Sequence, residues 1–178
     1  MKQVIHIFGA SGSGTSTLGR AVAERTGFRC MDTDDYYWLP AEPMYTLKRS
    51  IPERLALMER DLDDCGGAVL SGSLAGWGDP LIPRFTLAVR LDTPTPVRME
   101  RLRQREYARY GERVLPGGDL YEQSRAFLDW AARYDDGVPP LRSRALHDFW
   151  QQQLSCPLLN LDGTRPVEEL AEAVIKNL

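Results

Sequence analysis

The sequence contains few of the residues that usually build a disulfide framework or a metal centre. It has three cysteines and two histidines among 178 residues. Cys30, Cys65 and Cys156 are odd in number, lack the paired spacing of zinc ligands, and lie in or beside apolar stretches. We therefore expect buried, reduced thiols. His6 and His147 have no companion at ligand spacing, so we expect core or surface residues rather than metal ligands.

The sequence also lacks long apolar runs and an excess of charge of one sign. No stretch approaches the roughly 20 apolar residues of a membrane-spanning helix, and the apolar segment at residues 4–8 is too short for the core of a signal peptide. The 22 basic and 25 acidic residues give a formal charge of −3, which does not indicate non-specific binding of nucleic acid. We expect a soluble, cytoplasmic protein with no nucleic-acid or membrane partner.

What the sequence does contain is an alternation of short apolar runs with helical patterns. Buried strands are predicted at residues 4–8, 29–31, 68–70, 87–91 and 157–161. Helices are predicted at about residues 15–25, 94–110, 122–134, 142–154 and 167–177. This alternation is typical of a parallel sheet with helices on both faces. A single α/β domain over residues 1–178 is expected from the length.

A glycine-rich segment lies between the first predicted strand and the first predicted helix. Its residues are Gly9, Ala10, Ser11, Gly12, Ser13, Gly14, Thr15 and Ser16. Such a segment can curl so that backbone N–H groups point at phosphates, and the following helix adds the positive end of its dipole. The strand-loop-helix context is the one that a phosphate-binding loop requires. We expect these residues and Thr17 to bind a nucleotide, and Ser16 to bind Mg²⁺.

The loop departs from the usual phosphate-binding pattern at one position. Thr15 stands where the G-x-x-x-x-G-K-S/T motif has the lysine that reaches the outer phosphates. Threonine offers a hydroxyl but no charge, so a cation must come from elsewhere. The arginine-rich helix from Arg98 to Arg105 is the predicted source. The alternative is a glycine-rich turn in an α/β protein that binds no nucleotide.

On the strength of this loop, the sequence resembles the adenylate kinase, cytidylate kinase, shikimate kinase and gluconate kinase group of P-loop kinases. Weaker points of resemblance lie at residues 32–35, 70–73, 98–105 and 161–166. Some cytidylate-kinase-like members also have threonine in place of the lysine. The resemblance implies a three-layer P-loop NTPase fold with a five-stranded parallel sheet in the order 2-3-1-4-5 and a helical lid. It places an acceptor-binding insert at about residues 35–65 and the lid at about residues 105–125.

Two carboxylates follow the second predicted strand, at the edge where open α/β sheets bind ligands. Asp32 and Asp34 are two residues apart and would point the same way from a strand end. In shikimate and gluconate kinases a similar pair handles metal-bound water and an acceptor hydroxyl. The resemblance therefore implies Asp32 in the metal shell and Asp34 in acceptor contact and catalysis. The alternative is helix capping, with Asp35 as the cap of a helix starting near Tyr36.

Two arginines of the basic helix are predicted to be catalytic. Arg101 and Arg105 are four residues apart, so they share a helix face and could both point at the phosphates. The alternative is a solvated basic stripe paired with neighbouring glutamates.

Further binding residues are expected on the acceptor side and at the base. Arginines after the second strand hold the acceptor phosphate in nucleoside monophosphate kinases, which implies that Arg49 contacts the acceptor. Trp38 is expected to contact it as an aromatic ring that could stack on a base. Gly72 and Ser73, after the third strand, are placed against the acceptor in related kinases. Gly163 lies in a segment similar to the loop that wraps the adenine base, with an ordinary strand-to-helix turn as the alternative.

These observations predict an ATP-dependent phosphotransferase that moves the γ-phosphoryl group to a small acceptor, with Mg²⁺ bridging the phosphates. A nucleotide or nucleoside is the leading acceptor, and a sugar acid or polyol is the alternative. A different class, a nucleotide-binding switch or slow NTPase without an acceptor, is favoured by the missing lysine. The chain is compatible with a monomer or a homodimer.

Overall fold

The computed structural model describes residues 2–178, and it has five β-strands and seven α-helices in that part of the chain. The strands are β1 (Gln3–Gly9), β2 (Arg29–Asp32), β3 (Gly67–Ser71), β4 (Leu87–Asp92) and β5 (Leu158–Asp162). The helices are α1 (Thr15–Thr26), α2 (Thr33–Tyr37), α3 (Ile51–Asp63), α4 (Thr95–Tyr110), α5 (Tyr121–Ala132), α6 (Arg144–Gln151) and α7 (Val167–Ile175). Short 3₁₀ helices cover Asp79–Arg84 and Gly111–Val114.

The strands form one parallel sheet in the order β2-β3-β1-β4-β5. The predicted sheet and strand order are confirmed. Because neighbouring strands run in the same direction, their carboxyl ends share one edge. The loops that follow β1, β2 and β3 therefore meet at that edge.

The core consists of two apolar layers, one on each face of the sheet. Alternate side chains of β1 enter opposite layers: Val4 and Phe8 pack on one face, Ile5 and Ile7 on the other. Helices α3 and α6 cover the first face, and α1 and α7 cover the second. Their main contributions are Met58, Leu62 and Trp150 on the first face, and Leu18, Val22, Leu170 and Val174 on the second. The predicted three-layer arrangement is confirmed.

Helix α3 has no separately predicted counterpart, although its first turn carries a clear signal. The Ser50 hydroxyl accepts a hydrogen bond from the Glu53 amide, and the Glu53 carboxylate accepts one from the Ser50 amide at 3.2 Å. This reciprocal pair is a capping box, the pattern S-x-x-E read directly from the sequence. The helix brings Arg54 under the site described below.

The cysteine prediction is wrong at one position. Cys30 is exposed, whereas Cys65 and Cys156 are partly buried, and all three are free thiols. β2 is an edge strand of the sheet, so its side chains are less covered than those of the central strands. None of the helices in residues 2–178 combines the length and the hydrophobicity needed to cross a bilayer.

Candidate functional site

The glycine-rich loop between β1 and α1 has the curled backbone that its sequence predicts. Gly12 and Gly14 have φ angles of 80° and 102°, in the left-handed region that other residues rarely adopt. A Cβ on Gly12 would also lie 2.7 Å from the carbonyl oxygen of Arg98. Both glycines are therefore required by backbone conformation, and Gly12 by close packing against α4 as well.

Arg98 fixes this loop from below and is not free to contact a ligand. Its side chain is buried and donates to the carbonyl oxygens of Ser11 (3.0 Å), Thr93 (3.2 Å) and Ala131 (3.3 Å). Burial lowers the pKa of its guanidinium from the ordinary arginine value. Arg98 does not supply the missing loop charge, because its N–H groups already donate to main-chain oxygens and to the Thr95 hydroxyl.

Arg101 and Arg105 have different surroundings, so the prediction that both act on the phosphates stays a prediction. Arg101 donates to the carbonyl oxygens of Ser13 (3.3 Å) and Gly163 (3.0 Å), and it lies outside the cavity described next. It joins the glycine-rich loop to the turn after β5. Arg105 lines the cavity, with its guanidinium carbon 5.7 Å from the centre of the Phe127 ring.

A cavity of about 600 Å³ opens at the carboxyl edge of the sheet. Predicted site residues that line it are Gly9, Ala10, Ser11, Gly12, Thr15, Ser16, Asp32, Asp34, Trp38, Gly72, Ser73 and Arg105. Predicted site residues outside it are Ser13, Gly14, Thr17, Arg49, Arg101 and Gly163. Residues of the predicted lid form another wall, namely Arg105, Glu106, Arg109, Tyr110, Val114, Leu120, Gln123 and Ser124. The cavity thus joins the loop, the carboxylates and the lid segment in one space.

Asp32 links the glycine-rich loop to the start of α2. One carboxylate oxygen accepts a hydrogen bond from the Ser16 hydroxyl at 2.5 Å, and the other accepts from the Asp34 amide at 3.1 Å. Asp32, not Asp35, is therefore the N-cap of α2. Because each carboxylate oxygen has its own partner, Asp32 can cap α2 with one oxygen and contact Ser16 in the site with the other.

Ser16 and Asp32 form a donor set that suits Mg²⁺. A magnesium ion prefers oxygen ligands and usually takes one or two from protein, with waters and substrate phosphates completing its shell. Within residues 2–178, no group of three or more acidic, histidine or cysteine side chains could enclose a metal by itself. The hydroxyl and the carboxylate therefore fit an ion that is shared with a phosphate ligand.

Asp34 lies in the first turn of α2 rather than at a strand end, so the prediction that it points the same way as Asp32 by strand alternation is wrong. It nevertheless lines the cavity. Burial by surrounding protein, followed by the nearby charge of Asp32, raises the pKa of its carboxyl group, and Arg142 opposes that rise. Asp34 therefore holds a proton more readily than an ordinary aspartate.

Arg142 is a cavity residue that sequence reasoning missed. Its guanidinium donates to the Ser11 hydroxyl at 3.2 Å and lies 5.4 Å from the centre of the Trp130 ring. In residues 2–178 it makes no ion pair with a carboxylate within 4.0 Å. Burial lowers its pKa, while Asp34 raises it. It was predicted to begin a helix, but it precedes the true cap, Ser143, and so belongs to the loop.

Aromatic rings form the wall beside α2. Ring centres are 4.7 Å apart for Tyr37 and Trp38, 5.9 Å for Tyr37 and Trp77, and 6.0 Å for Trp38 and Tyr45. The buried Arg54 places its guanidinium carbon 3.6 Å from the centre of the Tyr37 ring and so supports the wall from beneath. Planar or apolar groups could pack on these faces.

The cation that lines the cavity beside this wall is Lys48, not the predicted Arg49, whose contact with an acceptor stays a prediction. Arg49 donates to the carbonyl oxygen of Tyr36 at 3.1 Å and lies outside the cavity. Lys48 lines the cavity instead, 5.9 Å from the centre of the Tyr37 ring. Arg109, on the lid side, lies 5.1 Å from the centre of the Tyr45 ring. The isolated bridge between Trp38 and Lys48 turns the chain here, which sequence spacing alone did not reveal.

Comparison with known proteins identifies the family of the chain. Residues 5–125 match a family model described as AAA domain. The chain belongs to the AAA domain family. This family member is 49% identical over 178 residues to a protein of Bacillus subtilis (strain 168) named "Uncharacterized protein YqaC", with 100% of this chain and 98% of that protein covered.

Two further similarities of this AAA domain protein are to proteins named as kinases. It is 32% identical over 115 residues to a protein of Pyrococcus horikoshii named "Cytidylate kinase", which covers 59% of this chain and 58% of that one. Its fold is similar to that of a shikimate kinase from Acinetobacter baumannii, with a TM-score of 0.54, 16% identity, and coverage of 99% and 92%.

Proposed function

We propose that this chain is an ATP-dependent small-molecule kinase, with a nucleoside monophosphate as its leading acceptor. The observation that carries the proposal is the single cavity of about 600 Å³ that brings a phosphate loop, a carboxylate pair and an unpaired arginine together. Phosphoryl transfer needs alignment and positive charge more than covalent chemistry, and this cavity offers both. The similarity to a protein named cytidylate kinase supports a nucleotide as the acceptor.

The donor phosphates bind at the glycine-rich loop in this proposal. The curled backbone and the N-terminus of α1 hold them, since both present N–H groups and partial positive charge. Ser16 and Asp32 would hold Mg²⁺, which supplies neutralisation of phosphate charge when bound. Their present hydrogen bond of 2.5 Å shows that both oxygens already occupy adjacent positions.

Arg142 supplies the charge that Thr15 cannot. Its contact with the Ser11 hydroxyl puts a guanidinium beside the loop on the cavity side, and no carboxylate within ion-pairing distance neutralises it. Arg105 provides a second cation across the cavity. This assignment moves the missing charge away from the arginine-rich helix, where Arg98 and Arg101 serve the main chain.

Asp34 orients the acceptor and receives its proton. A carboxyl group whose pKa is raised toward neutrality is better matched to accept and release a proton than an ordinary aspartate. When the acceptor oxygen attacks the γ-phosphorus, the bond from that phosphorus to the β-γ bridging oxygen breaks and ADP leaves. Any proton on the acceptor oxygen passes to Asp34.

The acceptor itself packs on the aromatic wall. A base could stack on Tyr37, Trp38 or Tyr45, while Lys48 and Arg109 offer charge for an acceptor phosphate. A sugar acid would use the charges but would leave most of the rings without a partner. The wall therefore favours a nucleotide over a sugar acid or polyol.

ADP production from Mg-ATP tests the proposal, measured with the purified chain alone and with nucleoside monophosphates, nucleosides, gluconate or shikimate. We expect turnover that depends on a nucleoside monophosphate. Turnover that depends on gluconate or shikimate would transfer the assignment to the sugar-acid class. The same slow ADP production with every addition would instead indicate an NTPase or nucleotide switch.

A further inference from the structure

Ser73 is the first of three buried polar side chains that form a connected row, which the proposed reaction does not use. The Ser73 hydroxyl lies 2.9 Å from His147 Nε2, and His147 Nδ1 lies 2.8 Å from the Tyr134 hydroxyl. Their residues are 4%, 0% and 5% exposed, so water does not compete for these contacts. Of the three, Ser73 also lines the cavity. The direction of the hydrogens in this row therefore determines what Ser73 can offer a ligand.

His147 is neutral, so one ring nitrogen donates and the other accepts. Burial, with nearby Arg142 and Arg90, lowers its pKa to about 3. The carboxylates of its neighbours do not reach it: Asp92 and Asp135 bind Arg144, and Asp148 binds Arg90. An uncharged ring is therefore present throughout the physiological pH range.

The Tyr134 hydroxyl determines which ring nitrogen of His147 accepts a hydrogen bond. No other hydrogen bond of the Tyr134 hydroxyl is present in residues 2–178, and Tyr134 does not line the cavity, whereas Ser73 does. The tyrosine hydrogen therefore points toward His147 Nδ1, its one acceptor among the described residues. With the opposite tautomer, the Tyr134 hydrogen would have no acceptor in a buried position, at a cost of about 1–3 kcal/mol.

The hydrogen on His147 is then on Nε2 and is donated to Ser73 Oγ. A serine hydroxyl that accepts from a fixed donor keeps its own hydrogen for another partner. No other hydrogen bond of the Ser73 hydroxyl is present in residues 2–178. Its remaining direction is the cavity that the residue lines.

We infer that Tyr134, His147 and Ser73 form a one-way hydrogen-bond relay that makes Ser73 a fixed donor to the acceptor substrate. The relay selects acceptors that present an oxygen or ring nitrogen with a free lone pair, such as a nucleotide carbonyl or phosphate, and disfavours an amino or ammonium group at that position. Ser73 is a specificity residue in this scheme, and His147 and Tyr134 are positioning residues. The assignment to an acceptor rests on the proposed kinase function.

The direction of the relay can be measured without any substrate. The chain has two histidines, and long-range ¹H–¹⁵N NMR reports which nitrogen of each carries the hydrogen. His6 Nδ1 lies 3.1 Å from the Leu70 carbonyl oxygen, so His6 has its hydrogen on Nδ1. We expect the opposite, Nε2–H form at His147, and a mixture of both forms at His147 in Tyr134→Phe. His147→Gln assigns the signals because it leaves only His6.

An Nδ1–H or doubly protonated His147 in the wild-type chain would overturn the relay. Unchanged tautomers in Tyr134→Phe would also overturn it. The exposed Tyr107, outside the cavity, provides the matched control Tyr107→Phe, which should leave both histidine signals unchanged. These results do not depend on activity, so they are separate from the test of the kinase proposal.

Acceptor kinetics test the specificity role, with cytidine monophosphate as the probe. Ser73→Ala and Tyr134→Phe are each expected to raise the acceptor KM roughly tenfold, the scale of one hydrogen bond to a charged or buried partner. The KM for ATP should change less than about twofold, and His147→Gln should retain more acceptor affinity than His147→Leu because its amide can still donate to Ser73. Equal effects on both KM values would overturn the specificity role. If no acceptor supports turnover in the wild type, the kinase proposal and the acceptor role of Ser73 both fail, while the NMR result still decides the relay.

Discussion

Arg142→Gln is the substitution that tests the proposed mechanism most directly. Arg142 lies in a loop, contacts the Ser11 hydroxyl at 3.2 Å, and forms no ion pair in residues 2–178. Glutamine keeps polar atoms near Ser11 but removes the charge. A loss of activity in this variant would therefore report the charge rather than the packing of the loop.

The magnitude follows from the electrostatics of the cavity. A unit charge about 4 Å from a phosphate oxygen, at an effective dielectric constant near 20, contributes about 4 kcal/mol. The cavity is open to water, which reduces this value, and only the part realised in the transition state affects kcat. Removal of one such group usually lowers kcat by about 10²–10³-fold. We expect a roughly 100-fold decrease for Arg142→Gln, with a smaller decrease for Arg142→Lys.

Steady-state ADP production with the identified acceptor is the assay, combined with ATP binding by calorimetry. Arg133→Gln is the matched control, because Arg133 is exposed and lies outside the cavity. Adding the motif lysine as Thr15→Lys to Arg142→Gln should recover roughly tenfold of the lost kcat. A kcat for Arg142→Gln within about threefold of wild type would refute the assignment, since another group would then supply the charge.

Further predictions concern Asp34, Ser16 and Arg98. Asp34→Asn should lower kcat at least about 100-fold with little change in ATP binding. In the wild type, kcat should fall as the pH drops through the raised pKa of Asp34, because a protonated carboxyl group cannot accept a proton. Equal loss of stability and activity would indicate a structural role for Asp34 instead. Ser16→Ala should raise the Mg²⁺ concentration needed for half-maximal activity about tenfold or more, and an unchanged Mg²⁺ titration would contradict the metal assignment. Arg98→Met should lower the free energy of unfolding by about 3–5 kcal/mol, because it leaves three carbonyl oxygens without their donor. Urea denaturation measures this free energy. A change under about 1 kcal/mol would show that the loop does not depend on Arg98.

The sequence was sufficient for the fold because the relevant signals are local. Four of the strands are short apolar runs, β2 being the exception, and the glycine-rich loop joins β1 to α1 with glycines at the positions that need positive φ angles. Alternation of strands and helices then restricts the connections to parallel, right-handed ones. The start of helix α3 is also recorded locally, by the capping box of Ser50 and Glu53.

The contacts of the side chains in the arginine-rich helix could not be predicted from the sequence. A shared helix face shows that Arg98, Arg101 and Arg105 have similar directions at the backbone, but each long side chain finds different partners. Arg98 is buried under the loop, Arg101 bridges two turns, and Arg105 faces the cavity. The same limit applies to Arg49, whose guanidinium turns back to the main chain while the adjacent Lys48 lines the cavity.

The sequence by itself determined the alternation of strands and helices, the phosphate loop and the place of Asp32 after β2, because these depend on backbone periodicity and on residues close together in the chain; the strand order came from the family resemblance. Only the tertiary structure decided which cation stands beside that loop and which polar groups stand behind Ser73. Ser11 and Arg142 are 131 residues apart, and Ser73 and His147 are 74 apart. Such contacts arise when the loops after β1 and β3 pack against α6 and the loop before it, and no local pattern records where a side chain ends once that packing is complete.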